Sequence, residues 1–161
     1  MKLYLAQHGP ATSKEENPER PLTDAGAATV RRMADFLKRA DGLAGAADAR
    51  HSGKLRARQT AEILVEGLRL HEPAREAPGL GPLDEVAPVA EGLASEARDV
   101  LIVGHLPHVS RLASLLVFGD ADREAFAFRQ GGVLCLEGDD EADGPARWNV
   151  RWMVVPELLP G

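Results

Sequence analysis

Three side chains set the chemical problem: His8, Arg56 and His105. Neutral imidazole attacks phosphorus without a strong base to remove a proton first. A guanidinium fork matches the equatorial oxygens of a phosphoryl group, over which negative charge spreads during transfer. A second imidazole suits the same oxygens as an N–H donor. Each of the three stands where one kind of segment gives way to another. His8 follows the apolar run Leu3-Tyr4-Leu5-Ala6 and Gln7 and precedes Gly9, and His105 follows Val100-Leu101-Ile102-Val103-Gly104. Arg56 falls in the first turn of a helical pattern that begins after His51-Ser52-Gly53-Lys54. Two imidazoles, an arginine and free helix N-termini make a pocket for a phosphoryl group.

The elements that must position them follow from periodicity. Lys2 to Ala6, Ala47 to Arg50 and Asp99 to Val103 read as strands, the last as the continuous apolar run of a sheet covered on both faces. Helical stripes lie between them: Val30, Met33, Phe36 and Leu37; Ala61, Leu64, Val65 and Leu68; Val86, Val89, Ala90 and Leu93; Val109, Leu112, Ala113 and Leu116. Val133 to Glu137 and Trp148 to Val154 flank the polar stretch 138–146 and predict an antiparallel pair. The alternation predicts an α/β fold, a three-layer α/β/α sandwich with a mainly parallel sheet and an antiparallel C-terminal pair, in one domain over residues 1–161. Ligands of such sheets collect at the carboxyl ends of the strands, so His8 and His105 are expected to meet on one edge. Pro107, just after His105, suits a first helical turn, where its missing N–H has no partner to lose.

Composition narrows the partners. The 161 residues are 44% hydrophobic and 27% charged, enough for a sizeable core, and the net charge of -6 repels a nucleic-acid backbone. The single Cys135 has no internal partner and sits in the strand-like Val133-Leu134-Cys135-Leu136, where it reads as buried apolar filler. No window reaches the roughly 20 apolar residues of a membrane span. The first apolar run is too short for a signal peptide, so a cytoplasmic protein is expected.

The same residues resemble the histidine phosphatase superfamily, and within it the small SixA-like phosphohistidine phosphatases. Four strings carry the likeness in order along nearly the whole chain: Gln7-His8-Gly9, Arg20-Pro21-Leu22-Thr23-Asp24-Ala25-Gly26, Ser52 through Ala61, and Gly104-His105-Leu106-Pro107. The resemblance implies a phosphoglycerate mutase-like fold and hydrolysis of phosphohistidine on a protein through a phospho-His8 intermediate, with no metal or other cofactor. It also implies a role in signal transduction, with a histidine phosphotransfer domain or a phosphocarrier protein as partner. The chain has little room for the insertions that roof the active sites of larger relatives.

In this reading His8 is the nucleophile, its other ring nitrogen donating to a backbone carbonyl, and Gly9 lets the backbone approach phosphate. Arg56 and His105 hold the phosphoryl oxygens. Gln7 replaces the signature arginine with a neutral amide, and losing such a donor costs on the order of 2.7 to 4 kcal/mol at comparable oxyanion sites. A weakly active phosphate-binding relic is therefore an alternative, and a small-molecule phosphomonoesterase with the same residues is another. Arg20 either swings in to restore charge or forms a surface ion pair. Ser52 either touches phosphate or caps the Arg56 helix. Asp84 and Glu85 are candidates for a general acid or for simple complementation of a helix dipole. His108 is read as a partly exposed first-turn residue, His51 and His71 as structural or surface groups, and the His105/His108 spacing as no metal site.

Overall fold

Leu3, Tyr4, Leu5 and Ala6 are all buried because their strand, β1 (Lys2–Gln7), lies inside a six-stranded sheet with helices on both faces. The computed structural model describes residues 1–40, 43, 47–139 and 147–160. After β1 come α1 (Asp24–Arg39), β2 (Asp48–His51), α2 (Leu55–Leu68), β3 (Arg75–Glu76), α3 (Ala87–Leu93), β4 (Val100–Gly104), α4 (His108–Phe118), β5 (Val133–Gly138), β6 (Trp148–Val154) and a 3-10 turn at Pro156–Leu158. The strand order is β3-β2-β4-β1-β5-β6. The first four strands in that order run parallel, and β5 and β6 are antiparallel additions. The predicted three-layer sandwich is the observed one.

Alternate residues of each strand face opposite layers. Tyr4, Ala6, Leu101 and Val103 pack against Val30, Met33, Leu37 and Leu64 of α1 and α2. Leu3, Leu5, Val100 and Ile102 pack on the other side against Leu93, Val109 and Leu112 of α3 and α4. Cys135 is buried in the first of these layers, and burial pushes its thiol pKa up to about 11. The strand β3 escapes periodicity because it is two residues long and exists only by pairing with β2. Of the polar stretch predicted between β5 and β6, residues 140–146 lie outside the described residues. No helix among the described residues is long and apolar enough to cross a membrane.

The Arg20-to-Gly26 string has a local physical reason. Thr23 is the N-cap of α1, its Oγ1 accepting the Gly26 N–H at 2.9 Å, and its own N–H is donated to the Pro10 carbonyl at 3.1 Å. This seats the first turn of α1 against the chain leaving β1. A Cβ on Gly26 would stand 2.0 Å from the Pro10 carbonyl oxygen, which is backbone and cannot swing away. Gly26→Ala is therefore expected to cost about 1–3 kcal/mol, the range for overpacking. Urea unfolding with an unchanged midpoint would contradict this.

Candidate active site

In the parallel pairing of β1 with β4, Gln7 lies opposite Gly104, so the next residue on each strand is a histidine. The His8 N–H is donated to the Gly104 carbonyl at 3.0 Å, and the two rings stand 5.1 Å apart between centroids at an angle of 53°. The meeting expected from strand ends thus takes place, with both rings buried. His8 Nδ1 is 2.7 Å from the Gly9 carbonyl oxygen, which can only accept. The proton therefore sits on Nδ1 and leaves a lone pair on Nε2. Arg56 Nε donates to that Nε2 at 3.3 Å.

Burial lowers the His8 pKa to about 4; the Gly9 hydrogen bond opposes this, while Arg56 and Arg20 add to it. His105 is lowered to about 3, first by burial and then by His8, Arg56 and Lys54. Both imidazoles are neutral near pH 7. Burial and Arg20 hold half-buried Arg56 below the usual arginine value. Neither guanidinium has a carboxylate partner among the described residues. Two guanidiniums that sense each other, with no carboxylate on either among the described residues, leave positive charge that an anion can offset. Arg20 itself sits in the left-handed region at φ 50°, and its Nε donates to the Thr12 carbonyl at 3.1 Å. Such backbone costs about 1–3 kcal/mol and persists where surroundings fix it.

Other expectations change. Ser52 is no helix cap: Lys54 occupies the N-cap of α2, and Ser52 Oγ instead shares a 2.6 Å hydrogen bond with His105 Nε2. The Gly9 N–H is not free for phosphate, because it is donated to Thr60 Oγ1 at 3.0 Å. Glycine is needed there for packing, since a Cβ would lie 2.7 Å from Val30 Cγ2 of α1. Gln7 is buried on the α4 face with Oε1 unpartnered, and it borders a cavity of about 600 Å³ with Leu106, Phe128 and Arg129. Asp84 and Glu85 are exposed, with the Asp84 carboxylate accepting the Gly81 N–H at 2.8 Å; neither bonds to His8, Arg56 or His105. His108 is 1% exposed rather than half-open, with its pKa lowered chiefly by burial. His51 is buried and accepts the Gly53 N–H through Nδ1, while His71 is exposed. Pro107 stands at the N-cap of α4. Among the described residues no three His, Cys, Asp or Glu side chains are grouped to hold a metal.

Gln59 and Thr60 lie inside the Ser52-to-Ala61 string, which gives them no role of their own; their hydrogen bonds make them positioning residues. Thr60 Oγ1 donates to the Arg56 carbonyl at 2.7 Å while it accepts from Gly9, so one hydroxyl ties the arginine's turn to the strand end bearing His8. Gln59 Oε1 accepts the Leu22 N–H at 2.8 Å and holds the Arg20 loop against α2. Their signal was the polar pair Gln59-Thr60 directly after the arginine turn.

No protein-family model matches the sequence, and no curated protein matches it. Solved structures do. The protein histidine phosphatase SixA complexed with tungstate is 25% identical, with a TM-score of 0.80 and 97% of each chain covered. The alpha-ribazole phosphatase from Shigella flexneri is 17% identical, with a TM-score of 0.71 and 97% of each chain covered. The mycobacterial glucosyl-3-phosphoglycerate phosphatase is 17% identical, with a TM-score of 0.67, covering 92% of this chain and 96% of its own. The chain shares the fold of these phosphatases and gathers His8, Arg56 and His105 at the carboxyl ends of its strands.

Proposed function

We propose that the protein hydrolyses phosphohistidine on another protein through a phospho-His8 intermediate. The observation that carries this reading is the His8–Arg56 pair: a neutral imidazole with its lone pair on Nε2, facing a guanidinium that has no carboxylate partner among the described residues. In the first step the Nε2 lone pair bonds to phosphorus while the P–N bond to the substrate imidazole breaks, and that imidazole leaves neutral after taking a proton from solvent. In the second, water bonds to phosphorus, the P–Nε2 bond breaks, and inorganic phosphate departs. Arg56 forks the equatorial oxygens throughout. Arg20 supplies a second positive charge that Gln7 does not, and His105 donates an N–H.

The carboxylates favour this substrate over an alkyl ester. An alkoxide needs a committed acid to leave, whereas an imidazole is a far better leaving group. Asp84 is held in its own turn and Glu85 is exposed without a partner in the site. The similar SixA structure is of a complex with tungstate, an oxyanion, which supports the reading of a phosphate-type ligand.

The test compares kcat/KM on a histidine phosphotransfer domain phosphorylated with phosphoramidate against glycerol phosphate and p-nitrophenyl phosphate. We expect the phosphorylated domain to be preferred by about 100-fold or more over the alkyl ester, the size of a missing acid's contribution. Preference for the alkyl ester would replace this reading with a small-molecule phosphomonoesterase, and turnover of none of the three would leave the relic.

A further inference from the structure

Residues 123–129 carry no regular secondary structure, yet they are fixed at both ends. Ser114 Oγ donates to the Arg123 carbonyl at 2.7 Å and Ser110 Oγ to the Phe126 carbonyl at 3.3 Å, which ties the stretch to α4. Beyond it, the Gly131 N–H is shared between the carbonyls of Gln7 and His8 at 3.0 and 3.1 Å, which anchors the far end on the nucleophile's own backbone. Phe126 and Phe128 turn inward, while Ala125, Ala127 and Arg129 are exposed. That period of two belongs to extended chain. None of the N–H groups of residues 124–130 donates within the chain among the described residues. A cavity of about 580 Å³ runs between this stretch and α4, and a second of about 600 Å³ continues past Gln7, the two sharing Leu106 and Phe128.

We propose that this stretch is a docking edge for the polypeptide that carries the phosphoryl group, an extended segment of the phosphorylated protein adding to it as a strand. The inference rests on the phosphohistidine-protein reading. An anchored row of unpaired N–H groups, with the small Ala125 and Ala127 facing outward at its middle, is what strand addition uses, since main-chain hydrogen bonds give affinity without demanding a particular sequence. The occupant follows from continuity: the edge ends on the His8 carbonyl, so a chain seated along it brings a side chain to the nucleophile. A small ester would leave most of the trough unfilled. Leu106, 42% exposed and beside His105, is the apolar contact where the two cavities meet.

Ala125→Arg and Ala127→Arg place bulk on the edge without touching His8, Arg56 or His105. On the phosphoramidate-treated phosphotransfer domain we expect kcat/KM to fall by about tenfold or more through KM, as for loss of an interface contact. On p-nitrophenyl phosphate both variants should match the wild type, which also shows that they fold. In His8→Ala, adding the phosphorylated domain should slow amide exchange at Ala125, Ala127 and Arg129. Equal losses on both substrates, no loss on the domain, or unchanged exchange would each overturn the docking edge. Slowing that tracks enzyme concentration alone would assign the edge to a second copy of this chain and overturn it as well. Failure of the phosphohistidine reading looks different: the wild type then releases no phosphate from the domain, and the inference falls with it.

Discussion

His8→Ala is expected to lose turnover by about 10,000-fold or more, on the scale of removing a covalent nucleophile, and to take up no acid-labile phosphate from a labelled phosphohistidine domain. The expectation comes from the ring's hydrogen bonds. With Nδ1–H held by the Gly9 carbonyl, Nε2 is the only site of attack, and alanine leaves Arg56 aimed at nothing that can accept phosphorus. The pH profile tests the same geometry. A His8 pKa lowered to about 4 keeps the lone pair free well below neutrality. Protonation of Nε2 removes the nucleophile, so the limb of kcat/KM that reports free His8 should be flat from pH 7 downward and fall only near pH 4. A limb breaking near 6.5 would show that burial and the two guanidiniums do not depress this ring. Turnover by His8→Ala equal to wild type would remove the phospho-His8 mechanism outright.

How far the site was legible depended on whether the information was local. Leu3 to Ala6 and Val100 to Val103 announced themselves because a strand covered on both faces must be apolar at every position, and the rule of carboxyl ends then brought His8 to His105. Gly9 could be marked as special without its reason being visible. Its Cβ conflict is with Val30, a helix away, and its N–H is taken by Thr60, 51 residues on. Ser52 stands close enough to α2 to suggest a cap, but β2 ends at His51 beside β4, so its hydroxyl reaches His105 first. The two-residue β3 has no period to detect. It carries Glu76, whose carboxylate lies over Gly53 within 2.4 Å of where a Cβ would stand, and only the sheet order puts that side chain beside the Ser52 loop. Polar atoms whose partners lie across the sheet are read from tertiary contacts, and apolar faces from the chain itself.

Arg56→Ala is expected to lower kcat by about 1,000-fold, the lower end of what a transition-state arginine contributes. Arg56→Lys should recover only part of that, because an ammonium supplies a point charge where the fork spans two oxygens. Stability should move the other way. In the free protein Arg56 is half-buried, senses Arg20, and has no carboxylate among the described residues to offset either charge. Removing it relieves repulsion and desolvation, so in phosphate-free buffer Arg56→Ala should unfold at the wild-type midpoint or above it. Tungstate reverses the order: an anion that binds only the folded wild type at 100 times its Kd adds about 2.7 kcal/mol. The variant, with one guanidinium left, should gain little. A structural arginine would give the opposite pattern, with stability lost in plain buffer and the response to tungstate retained. The two melting series therefore separate an arginine kept for its ligand from one kept for the fold, independently of which phosphorylated substrate the enzyme is given.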